Sequence, residues 1–252
     1  AAGVAAAFLV EQIDNTVDTP EKLERVLGGA LLGVVPRADL NGAGTPAGGA
    51  APGGNGFSRE LVCLHDAKSQ ASEAYRAIRT AIQFAGSAGR PVRSFAVVSS
   101  APQEGKTLTA INLAIAMAQA GHRVLMIDAD LRRPRLHKVL CPGHEAPARG
   151  LSNVLIGEAR MEDVARETVV PGLWCIPCGP IPPTPSELLG SPRMAELLQE
   201  ALARYDRVVI DSPPVGAVTD AGVIAPYLDG VVQVVGFAQP TCREARGGTD
   251  RL

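Results

Sequence analysis

The stretch Phe95–Pro134 reads FAVVSSAPQEGKTLTAINLAIAMAQAGHRVLMIDADLRRP, and the rest of the chain is organised around it. The apolar run that opens it predicts a buried strand, and the residues from Thr107 to Gly121 carry the apolar spacing of a helix. A second apolar run follows and ends on Asp128. The loop before the helix can direct successive backbone N–H groups at an anion, and the helix adds its N-terminal dipole. The stretch therefore predicts a phosphate-binding loop.

This loop also carries the side chains that a nucleoside triphosphate with Mg²⁺ requires. Lys106 adds a positive charge for the phosphates, and the Thr107 hydroxyl lies where loops of the type G-x-x-x-x-G-K-[ST] hold Mg²⁺. The strict pattern has glycine at position 100, where this chain has Ser100. A nucleoside triphosphate with Mg²⁺ is the predicted ligand. We expect the nucleotide to contact Ser100, Ala101, Pro102, Gln103, Glu104, Gly105, Lys106, Thr107 and Leu108.

The composition favours an α/β domain with a covered parallel sheet. The apolar residues of the 252-residue chain are mainly Ala, Val, Leu and Ile, and aromatic residues make up 4%. Apolar strand-like runs alternate with helix-like segments, which implies a parallel sheet with helices on both faces. The formal net charge is −2, so no strong basic field favours nucleic acid as a partner.

Acidic residues follow two of the predicted strands. Asp128 and Asp130 come directly after the apolar run 124–127, and Asp211 comes after the run 207–210. Right-handed crossovers place the carboxyl ends of parallel strands on one edge of the sheet, so these carboxylates should lie beside Lys106. Of two carboxylates in a D-x-D pair, one can bind Mg²⁺ or its water while the other accepts a hydroxyl proton.

A helix predicted from Ser69 to Gly86 carries a stripe of charge. Glu73, Arg76 and Arg79 are spaced three residues apart, which places them on one face of that helix. On these residues alone, the stripe is interpreted as a solvated face with one or two weak ion pairs.

The N-terminal part is organised differently. AAGVAAAFLV is apolar for only ten residues, whereas a membrane span needs about 20, so a buried helix and the last turns of a membrane helix both remain open. Leu31 to Val35 predicts a short strand, and residues 132–149 predict a polar loop. The Gly/Ala/Pro tract at 41–56 predicts a flexible linker and a domain boundary.

Taken together, the motifs resemble those of the bacterial tyrosine kinases built on a P-loop fold. Residues 99–107 match their Walker A motif, residues 124–132 match the Walker A′ form φφφDxDxR, and residues 208–213 match the Walker B form φφφDxxP. The resemblance implies the deviant Walker fold shared with partitioning and cell-division ATPases. It also implies ATP-dependent tyrosine autophosphorylation that regulates the polymerisation and export of capsular polysaccharide or exopolysaccharide.

The resemblance implies a role for each matched residue. The catalytic set is Lys106, Asp128, Asp130 and Arg132. The Mg²⁺ set is Thr107, Asp130 and Asp211. The stripe Glu73, Arg76 and Arg79 matches the E-x-x-R-x-x-R motif through which the domains of the family pack into homo-oligomeric rings. Asp128 is expected to activate the tyrosine hydroxyl and Asp130 to assist at the metal, and the two roles are open to exchange.

The resemblance also suggests how the chain is divided. Residues 1–11 look like the end of a truncated membrane helix, residues 12–40 like a juxtamembrane segment and residues 41–57 like the linker. Residues 58–237 form the expected kinase domain, and residues 238–252 an irregular tail. The expected location is the inner membrane, with the kinase domain on the cytoplasmic side. The expected partners are the polysaccharide copolymerase and its export machinery.

Two further functions stay open on the sequence. A partitioning or cell-division ATPase of the deviant Walker type would carry a second lysine five positions before Lys106, where this chain has Ala101. A non-catalytic nucleotide-binding scaffold of an export complex is the other alternative. Members of the kinase family carry several tyrosines at the C-terminus, whereas the tyrosines here are Tyr75, Tyr205 and Tyr227.

Overall fold

A computed structural model describes residues 19–36, 61–86, 91–141, 147–215 and 220–236 of the chain. The predicted membrane segment 1–11, the linker 41–57 and the tail 238–252 lie outside these ranges. Those divisions of the chain therefore stay predictions. In the described part, no helix is both long enough and apolar enough to cross a membrane.

The centre of the fold is a six-stranded sheet with the order β3-β4-β2-β5-β1-β6. Strand pairing is parallel throughout except between β3 and β4. The strands are β1 (Ser94–Ser99), β2 (Val124–Asp128), β3 (Arg166–Glu167), β4 (Leu173–Ile176), β5 (Arg207–Asp211) and β6 (Gly230–Val234). The predicted parallel sheet is confirmed.

Helices cover both faces of this sheet. In chain order the helices are α1 (Pro20–Leu27), α2 (Val62–His65), α3 (Gln70–Phe84), α4 (Lys106–Gln119), α5 (Leu136–Leu140), α6 (Leu151–Leu155), α7 (Met161–Val164), α8 (Pro185–Leu189), α9 (Pro192–Arg204) and α10 (Asp220–Ile224). Alternate strand residues enter opposite cores. Phe95 and Val97 pack with α3 and α4, whereas Ala96 and Val98 pack with α6 and α9.

Two local predictions were wrong. Leu31 to Val35 forms no strand, because Leu32 and Val35 pack as single side chains against the core beside α3. The predicted polar loop 132–149 contains the short helix α5, since Leu136, Val139 and Leu140 bury their side chains there. The apolar residues lie within only five positions in each case, 31–35 and 136–140, which is too short a run to define a helical or a strand period.

The sheet brings the acidic strand ends together. β2 and β5 pair in a register that places Asp128 directly opposite Asp211. β5 pairs in turn with β1, whose end at Ser99 leads into the phosphate loop. All three strand ends lie on the same edge of the sheet. Lys106 and the acidic residues lie near one another, as predicted, because β5 lies between β1 and β2.

Candidate active site

The phosphate loop has a tightly constrained backbone. Gly105 has φ 90° at the N-cap of α4, a left-handed conformation that glycine adopts without steric cost. Gln103 has φ 68°, which is uncommon for a residue with a side chain. A backbone held in this region needs surrounding contacts to keep it there. In this loop two such contacts come from Glu104.

Glu104 braces the loop from within. Its side chain is buried, and Oε2 accepts a hydrogen bond from the Ala101 N–H at 2.7 Å, across the loop. Oε1 accepts a second hydrogen bond from the Gly236 N–H at 3.2 Å, just beyond β6. The carboxylate therefore joins the loop to the neighbouring strand end. The motif pattern predicts that residue 104 contacts the nucleotide, but it does not reveal this bracing role.

Replacing Glu104 with alanine is expected to weaken ATP binding by about tenfold, which is about 1.4 kcal/mol. The Ala101 and Gly236 N–H groups lose their acceptors and the loop loses its brace. Glu104→Gln retains one acceptor oxygen, so it should fall between the wild type and Glu104→Ala. Calorimetric titration with a non-hydrolysable ATP analogue and Mg²⁺ measures the change. Glu187→Ala, at an exposed glutamate of α8, is the matched control. Unchanged affinity in Glu104→Ala would contradict the bracing role.

Lys106, Thr107 and Asp211 form a buried polar cluster at the start of α4. The Lys106 ammonium donates to Asp211 Oδ1 at 2.5 Å, and the Thr107 hydroxyl donates to Asp211 Oδ2 at 2.9 Å. The Lys106 and Asp211 side chains are 8% and 2% exposed, so this ion pair is shielded from water. The structure thus brings together the Walker A lysine, the Walker A threonine and the Walker B aspartate.

Asp128 is buried in the same edge with one oxygen unused. Its Oδ2 accepts the N–H groups of Arg135 and Leu136 at 3.2 and 3.1 Å, which caps α5. Its Oδ1 is buried and has no hydrogen-bond partner among the described residues. Burial raises the pKa of Asp128 to about 8, and the negative charge of Asp211 adds to the increase. An aspartate of this kind can exchange a proton near neutral pH.

Asp130 differs from Asp128 in its surroundings. It is half-buried, and its Oδ1 accepts the N–H groups of Arg132 and Arg133 at 3.3 and 2.9 Å. Asp130 therefore holds the turn after β2, whereas Asp128 has a buried oxygen free for a ligand. The sequence left the roles of the two aspartates exchangeable, and their surroundings in the structure differ.

Arg132 is held by a residue that the sequence analysis missed. Its Nε and Nη2 donate to the two carboxylate oxygens of Asp220 at 2.9 and 3.1 Å. Asp220 is fully buried and also accepts the Ser186 hydroxyl. This bidentate pair ties the acidic turn to α10. Asp220 is 88 residues from Arg132 in the chain, and no local pattern around it indicates the contact.

The charged stripe on α3 has contacts within its own chain. Arg76 pairs with Glu73 and also donates to the Ala67 carbonyl at 2.6 Å. Arg79 donates to the Ala116 carbonyl near the end of α4 at 3.0 Å. The Glu73 side chain is 65% exposed. Both arginines therefore stabilise the placement of α3, and Glu73 is the member of the stripe that is most open to a partner.

The donor set fits Mg²⁺ bound together with a nucleotide. Among the described residues, no group of three or more His, Cys, Asp or Glu side chains could hold a metal alone. Mg²⁺ commonly takes one or two protein oxygens, and substrate phosphates and waters complete its shell. Thr107 and Asp211 supply such protein oxygens at one edge of the sheet.

Comparisons with known proteins agree with this geometry. Residues 97–228 match the family described as AAA domain. The chain is 40% identical over 199 residues to the tyrosine-protein kinase YwqD of Bacillus subtilis, covering 79% of this chain and 82% of that protein. It is 38% identical over 173 residues to the tyrosine-protein kinase CpsD of Streptococcus agalactiae, covering 68% of this chain and 72% of that protein.

A solved structure extends the likeness to three dimensions. The kinase domain of the Escherichia coli tyrosine kinase ETK superposes with a TM-score of 0.81 and 31% identity, covering 93% of this chain and 89% of that chain. The site combines a P-loop, a buried Lys106–Asp211 pair and an acidic turn after β2. Together with the similarity to these relatives, it leads to one assignment. The chain belongs to the bacterial tyrosine-protein kinase family.

Proposed function

We propose that this chain transfers the γ-phosphoryl group of ATP to tyrosine hydroxyl groups. One observation carries the proposal: Asp128 Oδ1, which no group in the described ranges hydrogen-bonds, lies in the same buried edge as the Lys106–Asp211 pair. Phosphoryl transfer requires positive charge for the phosphates and an acceptor for the hydroxyl proton. This edge of the sheet offers both in one place.

Each side chain then has a defined task. Lys106 and the loop N–H groups bind the phosphates and stabilise the charge that develops on them. Asp128 Oδ1 accepts the tyrosine hydroxyl proton, while the Asp128 Oδ2 bonds to the N–H groups of α5 hold the carboxylate in place. Asp130 and Arg132 keep the acidic turn in position, and Asp130 would assist at the metal. When bound, Mg²⁺ neutralises phosphate charge, and Thr107 and Asp211 are its proposed protein ligands.

The biological setting is proposed from the sequence resemblance. The chain acts as the kinase domain of a polysaccharide export system, on the cytoplasmic side of the inner membrane. The copolymerase and its export machinery are its partners, and regulation of capsular or exopolysaccharide synthesis is its role. The residues before the linker connect the domain to the membrane.

A homo-oligomeric ring is proposed through the stripe on α3. Glu73→Lys reverses the charge of the proposed contact, so it is expected to dissociate the oligomer. The fold should stay intact, because the Glu73 side chain is 65% exposed. Sedimentation velocity measures the distribution of species. Glu196→Lys is the matched control, since Glu196 is also exposed and pairs with Arg193 at i,i+3 spacing. An oligomer that survives Glu73→Lys, or that dissociates equally in the control, would refute this interface.

The activity is tested with purified protein, ATP, Mg²⁺ and a synthetic glutamate–tyrosine copolymer as acceptor. Phosphotyrosine on the copolymer, detected by a specific antibody and by mass spectrometry, is the expected result. Hydrolysis of ATP without phosphotyrosine would favour a partitioning or cell-division ATPase instead. A protein that binds ATP with neither activity would favour the scaffold. The three functions are thus separated by one set of reactions.

A further inference from the structure

The chain contains three tyrosines, and the structure describes all of them. If the kinase phosphorylates a tyrosine among the 252 residues of this sequence, that tyrosine is Tyr75, Tyr205 or Tyr227. Their surroundings differ enough to separate them.

Tyr75 and Tyr205 are held in packed environments. Tyr75 is 2% exposed in the core beneath α3, and burial raises the pKa of its hydroxyl to about 12. Tyr205 is half-buried at the end of α9 and packs against Trp174, with ring centroids 5.4 Å apart and planes tilted by 58°. Either ring would have to leave its packing to enter an active site, which costs the burial energy of a large aromatic side chain.

Tyr227 is exposed on a short turn. The ring is 40% exposed at the end of a three-residue 3₁₀ helix, Ala225–Tyr227. Its neighbours Pro226 and Asp229 are exposed as well. Short 3₁₀ pieces are connectors with poor hydrogen-bond geometry, so rearranging three residues disturbs little of the fold. Tyr227 is therefore the tyrosine that a kinase site can reach.

Tyr227 lies too far from the active site of its own chain to be phosphorylated there. Asp229 accepts hydrogen bonds from the N–H groups of Arg93 and Ser94 at 2.9 and 2.8 Å, which anchors this turn at the amino end of β1. The phosphate loop follows the other end of β1, after its six residues. At a rise of about 3.3 Å per residue, these two ends are about 16 Å apart. Phosphoryl transfer needs the reacting atoms at about 3–3.5 Å, so the donor site must belong to another molecule.

We propose that Tyr227 is a phosphorylation site that a second copy of this chain modifies in trans. This inference rests on the proposed kinase function. A bond forms between the Tyr227 Oη and the γ-phosphorus of ATP, and the bond from that phosphorus to the β–γ bridging oxygen breaks. ADP leaves, and the phenolic proton passes to the Asp128 carboxylate of the copy that binds ATP. The product is a phosphotyrosine on the amino edge of the sheet, remote from the nucleotide site of its own chain.

The experiment uses a separate acceptor and donor. Wild-type protein is mixed with ATP, Mg²⁺ and an Asp128→Asn acceptor that carries a mass-distinguishable tag, and phosphotyrosine is mapped on the acceptor. Label at residue 227 is expected, with an initial rate that increases with donor concentration. Adding Tyr227→Phe to the acceptor should reduce its labelling at least tenfold, whereas adding Tyr205→Phe should leave it unchanged.

Two controls separate this inference from the proposed function. The Tyr227→Phe single variant should phosphorylate the glutamate–tyrosine copolymer at the wild-type rate, since Tyr227 is far from the phosphate loop. Label on Tyr75 or Tyr205, or copolymer phosphorylation with an unlabelled acceptor, would overturn the Tyr227 assignment and leave the kinase function standing. Absence of label on both acceptor and copolymer would overturn the two proposals together.

Discussion

Replacing Lys106 with methionine is expected to abolish phosphotyrosine formation, with a loss of at least about 10³-fold in kcat. The ammonium group is the cation at the start of α4 that can bind the phosphates, and methionine fills a similar volume without a charge. Removing one electrostatic donor from a preorganised site commonly costs 10²–10³-fold, and a full charge costs more. Phosphorylation of the glutamate–tyrosine copolymer measures the effect.

The same substitution also affects stability. Lys106 is the ion-pair partner of Asp211, and both side chains are buried. Removing one member of a buried pair leaves an uncompensated charge and costs about 3–5 kcal/mol. Thermal unfolding of Lys106→Met without nucleotide should therefore show a lower Tm than the wild type. Loss of activity in this variant is ambiguous on its own, because it combines lost chemistry with a weakened fold.

A double variant shows how much of the lower Tm comes from the unpaired Asp211 charge; it also removes a proposed Mg²⁺ ligand, so it tests stability and not catalysis. Lys106→Met combined with Asp211→Asn removes both charges and retains an acceptor oxygen for the Thr107 hydroxyl. Its Tm is expected to recover most of the loss. Normal phosphorylation by Lys106→Met would refute the proposed role of Lys106. An unchanged Tm in the single variant would show instead that the Lys106–Asp211 pair adds little to stability.

Asp128→Asn is the second large expected effect, with a loss of about 10²–10⁴-fold in kcat. The amide oxygen can still accept the N–H groups that Asp128 receives from Arg135 and Leu136, so α5 keeps its cap. The amide cannot accept the tyrosine proton. Copolymer phosphorylation by the variant and by Asp130→Asn distinguishes the two carboxylates. An Asp130→Asn variant that loses more activity than Asp128→Asn would reverse their proposed roles.

The pH dependence of activity follows from the raised pKa of Asp128. A general base works in its deprotonated form, and burial together with the charge of Asp211 holds the pKa of Asp128 at about 8 in the free protein. The kcat/KM for the copolymer is therefore expected to rise with pH as Asp128 loses its proton, and then to level off. Residual activity of Asp128→Asn should lack this rise. A wild-type profile that is flat between pH 6 and 9 would contradict the assignment.

The free energy of unfolding of the nucleotide-free protein should fall as the pH rises, whereas the activity should rise. The pKa of Asp128 is about 8 in the folded state and near 4 in an unfolded chain, so between these values the folded state binds one more proton. Stability then falls as the pH rises through this window, by on the order of 5 kcal/mol in total. Asp128→Asn removes this loss, so its Tm should exceed that of the wild type at pH 8 and approach it near pH 4.

The sequence by itself determined the framework of the active site. The apolar runs that end at Asp128 and Asp211 predicted two strands of a parallel sheet, and the loop before Lys106 predicted the phosphate site between strand and helix. These signals are local, because a buried strand and a capped helix show their period within ten to fifteen residues. A parallel sheet then places the strand ends on one edge.

The tertiary structure decided how the individual groups are used. The bonds from Lys106 to Asp211, Arg132 to Asp220 and Gly236 to Glu104 span 105, 88 and 132 residues. Such pairs depend on strand order and loop paths, which no short sequence window contains. For the same reason, the D-x-D pattern did not separate buried Asp128 from half-buried Asp130. Burial, and with it the pKa of a carboxylate, is a property of the packed domain and not of the motif.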